Sequence, residues 1–185
     1  MKQIAFLLAV IGYCYSANAQ DRLLSRNGSI SFYSKTPLEE IKANTQTAVS
    51  VLVKKTGQIE FSVLIKSFTF EKALMQEHFN EDYLESDKFP KSTFKGQIDD
   101  PGNVSFDKDG KYTVSVTGEL TMHGQSRTVT TPVTFSIMKG VALADAQFDI
   151  ALSDYKIEIP SLVKDKISKT VKISVRIKYE TQAQP

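Results

Sequence analysis

Cysteine is almost absent from this 185-residue chain, and the one cysteine, Cys14, lies in an N-terminal segment with the features of a secretory signal peptide. This segment has an early positive charge at Lys2, an apolar run at residues 4–11 and a small-residue cleavage site ending at Ala19. The apolar run is too short for a membrane-spanning helix. We therefore predict a signal peptide at residues 1–19, whose removal from the 185 residues leaves 166 residues without a disulfide.

The predicted signal peptide implies that the protein is periplasmic or secreted. Cys14 also permits a lipoprotein anchor, although bulky Tyr13 precedes it where a small residue is expected. Because the cleaved chain cannot form a disulfide, its hydrophobic core must stabilise it, and a chain of this length can form such a core. We expect one domain, at residues 20–185.

Neither sign of charge predominates in the composition. The chain has 23 basic and 21 acidic residues, and loss of Lys2 with the signal peptide leaves 22 basic residues and a net charge of about +1. The short groups of lysines, such as Lys164, Lys166 and Lys169, are interpreted as solvated strand ends and do not suggest nucleic acid, so we expect no nucleic-acid partner. No second apolar run approaches the length of a transmembrane helix, so we predict no transmembrane span. The sequence leaves the oligomeric state open, a dimer included.

Motifs for catalysis and metal binding are also missing from the sequence. The two histidines, His78 and His123, are 45 residues apart, and neither belongs to a His-x-x-x-His or Glu-x-x-His pair. Ser126 is not part of a Gly-x-Ser-x-Gly elbow, and there is no glycine-rich phosphate loop. A Ser–His–acid triad built from distant residues stays open. We predict no metal site, no catalytic residue and no enzymatic activity.

The sequence is rich in period-two alternation of apolar and polar residues, which is typical of strands with one buried face. Eight strands are predicted, at residues 29–34, 41–53, 59–65, 91–97, 112–120, 129–137, 141–152 and 173–179. Closure into a barrel would remove the exposed edges of so many strands, and a two-sheet sandwich is the alternative. The predicted fold is therefore all-β, an eight-stranded antiparallel β-barrel with one or two short helices, near residues 71–79 and 160–164, capping it.

Small residues share one face of the predicted strands. Ala142, Ala144 and Ala146 have the same parity, and Gly118 lies among apolar residues of another strand. Such positions allow either a close approach of two strands or a bend. They also allow room for a ligand, because an eight-stranded barrel is either filled by side chains or holds one elongated molecule. The residues alone leave both interpretations open.

Residues 74–96 interrupt the β pattern with a charged and aromatic segment. Leu74, Met75 and Phe79 form a one-sided apolar stripe on a short predicted helix, and Phe89-Pro90 then requires extended backbone. This helix could plug one end of the barrel with Phe79 and Tyr83. Alternatively, it could be a lid over the mouth of an apolar cavity.

Two motifs resemble signatures of the YceI-like family. The first is MQEHFN at residues 75–80, followed by YLESDKFP at 83–90 and TFKG at 93–96. The second is GELTMHG at residues 118–124, followed by Val129 and by PVTF at 132–135. Both motifs stand in the order expected of the family, behind a signal peptide, and the resemblance spans residues 29–179.

The resemblance implies a lipocalin-like antiparallel β-barrel, exported to the bacterial envelope, that holds an isoprenoid chain such as a polyprenyl quinone or alcohol. It implies storage or transport of this or another amphiphilic lipid, and no cofactor besides such a lipid. Met75 and Phe79 are candidates for the lid, and His78 could hydrogen-bond a polar head group. The predicted ligand-binding residues are Phe61, Val63, Met75, His78, Phe79, Phe94, Val114, Val116, Val133, Phe135, Phe148 and Ile150.

The sequence leaves two alternatives to lipid binding open. The first is a structural or interaction domain of the envelope, whose barrel is filled by bulky side chains and holds no ligand. The second is a metal-dependent or hydrolytic enzyme, in which His78 or His123 would have to meet carboxylates or a serine in space.

Overall fold

A computed structural model describes residues 22–181, and the predicted signal peptide at residues 1–19 lies outside this range. The described chain consists mainly of antiparallel strands. In chain order these are β1 (Arg22–Lys35), β2 (Glu40–Val53), β3 (Gln58–Leu64), β4 (Thr69–Phe70), β5 (Lys91–Ile98), β6 (Gly110–Met122), β7 (Gln125–Met138), β8 (Val141–Ala151) and β9 (Thr170–Thr181). Helix α1 (Ala73–His78) continues into a π-helical turn at Phe79–Tyr83, and short 3-10 turns lie at Ile65–Ser67, Pro101–Asn103, Leu152–Tyr155 and Ser161–Val163.

The eight long strands form a closed barrel. Their order is β1-β9-β8-β7-β6-β5-β3-β2, and β2 pairs with β1 again to complete the circle. The two-residue β4 adds only a short pairing to β2, with Ala43 opposite Phe70. The predicted barrel is therefore confirmed, and the two-sheet sandwich is wrong. The predicted helix near residues 71–79 is present as α1, whereas residues 161–163 form only a 3-10 turn.

Several strands are longer than the alternation of residues predicts. β6 and β7 meet through a two-residue turn at His123-Gly124, and β7 and β8 through Lys139-Gly140; all four residues have positive φ. Positive φ at both central residues is typical of the type I′ turn, whose twist matches that of the flanking strands, so pairing continues up to the turn. β1 begins seven residues before the predicted start, because register shifts between Ser25 and Ile30 interrupt its alternation.

The two ends of the barrel receive different connections. One end, which we call the capped end, carries residues 36–39, 65–90, 123–124 and 152–169. The opposite end, the filled end, carries the connections at residues 54–57, 99–109 and 139–140. Val104 and Phe106 from residues 99–109 are buried there beside Leu52, Ile98 and Phe135 in one core cluster. Over residues 22–181, no helix is both long and apolar enough to cross a membrane.

Tyr179 closes the core at the filled end with a buried hydrogen bond. Its hydroxyl lies 2.7 Å from Ser50 Oγ, and Ser50 donates its own proton to the Glu60 carbonyl at 3.0 Å. Tyr179 must therefore be the donor to Ser50. Burial raises the pKa of Tyr179 to about 12, since the phenolate would lose its hydration, and the bond to Ser50 offsets only part of this effect.

Tyr179→Phe tests the contribution of this hydrogen bond. We expect the substitution to lower the free energy of unfolding by about 1 kcal/mol at neutral pH, the net value of one intramolecular hydrogen bond. Above the ordinary tyrosine pKa of 10, the unfolded parent releases a proton that folded Tyr179 retains up to about pH 12, so parent stability falls across this range. Urea denaturation at several pH values measures both effects.

The variant should lose this part of the alkaline decline. Tyr83 and Tyr155, whose pKa values burial also raises, remain in both proteins, so the difference between parent and variant isolates Tyr179. An equal decline in both proteins between pH 10 and pH 12 would contradict the assignment.

Candidate ligand-binding cavity

A cavity of about 530 Å³ extends inside the barrel from the capped end to Tyr179. This volume lies within the range of roughly 300–1,000 Å³ that small-molecule sites occupy. Its wall consists mainly of aliphatic and aromatic side chains projecting from the inward face of the strands. These residues reach the lumen because strand side chains alternate, so every second residue of each long strand faces inward.

The hydroxyl groups of the strands that face the cavity already have partners in the protein. Ser92 donates to the Thr121 carbonyl at 3.0 Å, and Thr131 donates to the Gln147 carbonyl at 3.2 Å. Ser34 Oγ accepts a hydrogen bond from the Ser168 amide at 3.0 Å, and Tyr179 is bonded to Ser50. The strand wall therefore offers apolar contact rather than polar recognition.

Eleven of the twelve predicted ligand-binding residues line this cavity. They are Phe61, Val63, Met75, His78, Phe79, Phe94, Val116, Val133, Phe135, Phe148 and Ile150. Val114 does not line it. Val114 faces inward as predicted, but it is buried in the same core cluster as Val104 and Phe106, whose segment closes the filled end.

The small residues of the strands have two different roles: some leave space for a ligand, and others allow two strands to approach closely. Ala144 and Ala146 line the cavity, so their short side chains leave space in the lumen. Gly118 instead marks a close approach of strands, because a Cβ there would lie 2.5 Å from the Cα of Gly96 and from the Phe94 ring. The Phe94 ring covers both glycines and replaces the side chains they lack.

An aromatic cluster holds the helical cap against one wall. Phe79 stacks on Phe32 with ring centroids 5.3 Å apart, and its centroid lies 5.7 Å from that of Phe68 and 5.0 Å from that of Phe70. All four rings also line the cavity. Phe32, Phe68 and Phe70 were not predicted as site residues. The inward parity of Phe32 and the apolar series leading from Phe68 into the helix are the signals that could have identified them.

The turn that follows α1 positions several cap residues over the lumen. The Leu84 amide bonds to the Phe79 carbonyl at 3.0 Å, an i→i+5 bond typical of a π-helical turn. The extra residue in this turn allows Phe79, Tyr83 and Leu84 to line the cavity together. Because the cavity lies beneath these residues, the segment covers the lumen as a lid does and does not fill it as a plug would.

Polar and charged residues are concentrated at the mouth. Lys72 pairs with Glu39 at 3.0 Å across the gap between α1 and the β1–β2 turn, and Lys166 lines the cavity on another side. His78 also lines it, and its Nδ1 lies 2.6 Å from Asp82 Oδ2. The wall is therefore apolar, whereas the rim offers charge and hydrogen bonds.

His123 links the cap to two neighbouring segments. Its Nδ1 lies 2.9 Å from the Tyr155 carbonyl, and its Nε2 lies 2.7 Å from Glu85 Oε2. Both partners accept protons, so the arrangement is fully satisfied when both ring nitrogens carry one. The bond from His123 is the main cause of a lowered pKa of Glu85. Phe89 packs edge-on against the imidazole, with centroids 4.9 Å apart.

Each histidine is thus hydrogen-bonded to one carboxylate, His78 to Asp82 and His123 to Glu85. Over residues 22–181, no group of three His, Cys, Asp or Glu side chains is arranged to hold a metal ion. Within the same residues, neither histidine is hydrogen-bonded to a serine hydroxyl.

A closed eight-stranded antiparallel barrel with a short helix over an apolar cavity defines a lipocalin-like protein. The family model described as the YceI-like domain matches residues 24–179, most of the chain. The chain therefore belongs to the YceI-like family, as its two motifs predict. No curated protein matches it.

Solved structures of low sequence identity share the fold. A protein described as a polyisoprenoid binding domain from Saccharophagus degradans, implicated in plant cell wall breakdown, has a TM-score of 0.76 at 15% identity, covering 88% of this chain and 99% of that one. BcnA of Burkholderia cenocepacia has a TM-score of 0.64 at 17% identity, covering 82% and 95%. A YceI protein of Campylobacter jejuni has a TM-score of 0.59 at 17% identity, covering 76% and 85%.

Glu85→Gln tests whether the bond to His123 secures the cap. We expect faster amide exchange in residues 79–88 at pH 7, because the neutral amide attracts the imidazole less than the carboxylate does. A carboxyl group with a lowered folded-state pKa contributes stability above its usual value of 4.5, and this stability is lost as the pH falls through the lowered pKa. The difference between parent and variant should therefore disappear in acid.

Asp87→Asn is the matched control for this experiment. It removes a neighbouring carboxylate that pairs with Lys66 on the surface, where ion pairs contribute little to stability. Equal exchange protection of the cap in the parent and in Glu85→Gln at pH 7 would show that the bond does not secure it.

Proposed function

We propose that this protein binds an isoprenoid lipid, such as a polyprenyl quinone or alcohol, with the chain inside the barrel and the head group at the rim. The observation that carries the proposal is the cavity of about 530 Å³ whose strand hydroxyls are all bonded within the protein. Such a wall gains free energy from an apolar chain, whereas a polar ligand would lose hydration there without compensation. The eleven predicted residues that line the cavity are the proposed binding residues.

Burial of the lipid supplies enough free energy for useful affinity. At roughly 25 cal/mol per Å², covering about 400 Å² of lipid surface yields about 10 kcal/mol. Loss of translational and rotational freedom costs at least about 4 kcal/mol of this. The remainder of about 6 kcal/mol corresponds to a Kd of about 40 μM, and each further 55 Å² or so of contact strengthens binding about tenfold.

Family membership and the similar structures support the same class of ligand. The Saccharophagus degradans protein is described as polyisoprenoid binding, and it shares the barrel with this chain at 15% identity. Its ligand class is proposed here because the cavity of this chain has the apolar wall that such a ligand needs. The same features favour a binding protein over an enzyme, and the cavity disfavours a domain filled by bulky side chains.

His78 is the proposed partner of the head group. Asp82 orients its ring through Nδ1 at 2.6 Å. A neutral ring that donates Nδ1–H to Asp82 presents Nε2 as an acceptor for the hydroxyl of a polyprenyl alcohol, and a charged ring donates from Nε2 to a quinone carbonyl. Both types of head group fit this rim.

Storage or transport of the lipid in the periplasm or outside the cell completes the proposal. It rests on the predicted signal peptide at residues 1–19. A lipid with a long apolar chain has very low solubility in water, so an exported carrier must shield that chain as the barrel does.

Extraction of the protein purified from its native host tests the proposed ligand. We expect mass spectrometry of the organic extract to detect an isoprenoid lipid in stoichiometric amount. In the same experiment, Ala146→Phe should lose the lipid and should bind added prenyl quinone at least about tenfold more weakly, because its ring displaces roughly 55 Å² or more of lipid contact.

Leu143→Phe is the matched control, because Leu143 lies on the opposite face of β8 from the cavity-lining Ala144 and Ala146. It adds an aromatic ring to the same strand outside the lumen and should keep the lipid. Absence of lipid from the parent, together with no binding of added prenyl quinone, would disprove the proposed function.

His78→Ala tests recognition of the head group separately from burial of the chain. We expect binding of a prenyl quinone to weaken about 2- to 10-fold, the effect of losing one hydrogen bond. Binding of a prenyl hydrocarbon without a head group should not change. Fluorescence titration with both ligands measures the difference, and an equal loss for both would assign His78 to packing alone.

A further inference from the structure

Three leucines in the connections of the capped end are more exposed than Leu64, the half-exposed leucine at the end of β3. Leu162 is 94% exposed, Leu38 is 68% exposed and Leu74 is 62% exposed. Largely exposed leucines do not gain the free energy that burial provides, and a group of them on one part of a surface is typical of an interaction site. We call these three residues the leucine rim.

The leucine rim lies next to residues that line the cavity. Leu74 itself lines the cavity, Leu38 precedes the lining residue Glu39, and Leu162 precedes the lining residue Val163. Each leucine comes from a different connection at the capped end.

Hydrogen bonds tie these three connections to one another. The Lys72–Glu39 pair, at 3.0 Å, joins the start of α1 to the β1–β2 turn that carries Leu38. The Ser168 amide bonds to Ser34 Oγ at 3.0 Å and joins the connection of Leu162 to the end of β1. The three leucine side chains therefore belong to neighbouring segments of one end of the barrel.

Charge is distributed unevenly around the rim. Residues 156–169, which carry Leu162, have four exposed lysines (Lys156, Lys164, Lys166 and Lys169) against the two acidic residues Glu158 and Asp165. Residues 71–82, which carry Leu74, have four acidic residues against Lys72 and His78. The basic side of the mouth is thus the side with the most exposed leucine.

We propose that the leucine rim docks on the surface of a lipid bilayer that contains anionic lipids, with Leu162 inserted first. Leu162 enters the interface between head groups and acyl chains, and the lysines of residues 156–169 contact the phosphates. The acidic residues near α1 tilt that side of the mouth away from the negative surface. This inference rests on the proposed function, because docking lets a lipid chain pass between bilayer and cavity without crossing water.

The shape and charge of the rim favour a bilayer over a protein partner. Three leucine side chains on separate segments can each insert a short distance into a membrane interface. A stable protein interface instead needs a continuous surface of roughly 1,000 Å² or more. Lysines next to an inserted leucine can extend their ammonium groups to the phosphates while their alkyl chains stay in contact with lipid.

Flotation with vesicles of three parts phosphatidylethanolamine to one part phosphatidylglycerol tests the docking surface. The parent and two variants are produced identically from the full coding sequence, so the N-terminal segment has the same effect in all three. We expect Leu162→Ser to lower partitioning onto these vesicles about tenfold, since burial of one leucine is lost. Binding of the parent should also weaken with added salt and on vesicles without the anionic lipid.

Met138→Ser is the matched control. Met138 is also 68% exposed, but it lies beside the β7–β8 turn at the opposite, filled end, so its removal should leave partitioning unchanged. Binding of prenyl quinone in detergent solution is measured in parallel, and all three proteins should retain it.

Different outcomes separate docking from lipid binding. Equal partitioning of the three proteins, or no partitioning of the parent, would overturn the docking surface while leaving the proposed function intact. If the parent does not bind prenyl quinone in detergent solution, the proposed function is overturned instead. A dimer that depends on Leu162 in light scattering, without vesicle binding, would overturn membrane docking and assign the rim to self-association.

Discussion

Closure of the sheet through β1 is the constraint on which the cavity depends. β1 pairs with β9 on one side and with β2 on the other, so the circle of eight long strands has no open edge at this seam. Closure also commits every strand to one inward face, because a slip of one residue would turn its apolar side chains to solvent. At the seam the strands approach so closely that Ile177 and the backbone of Ala48 occupy the space around a Cβ at Gly28.

Within the closed barrel, the connections decide where the lumen is filled. Val104 and Phe106, from the connection at residues 99–109, complete a continuous core at the filled end, where Tyr179 is hydrogen-bonded to Ser50. The two longest connections, residues 65–90 and 152–169, emerge at the capped end, and the first of them supplies α1 and the π-helical turn. Because the cap covers the mouth and does not fill the lumen beneath it, space persists between the two ends.

Most of the fold and much of the site could be predicted, because both follow from local patterns. Alternation predicts which residues of a regular strand face inward, and eleven of the twelve predicted residues do line the cavity. Val114 faces inward but does not line the cavity. Its depth along the barrel axis depends on how neighbouring strands are staggered, which the alternation of residues does not reveal. Phe32 was missed because its contact with Phe79 joins segments distant in sequence. Phe68 was missed because the apolar series leading into the helix does not by itself show that its members border the lumen.

The amino-acid sequence by itself determined the all-β class, the inward parity of the regular strands, the short helix before Phe79 and the family, since these depend on side-chain periodicity, turn chemistry and local motifs. Only the tertiary structure decided that Gly118 marks a close contact while Ala144 and Ala146 border free space. The reason is physical: the volume of a cavity is what remains after the side chains of all strands have packed. No single strand contains that information.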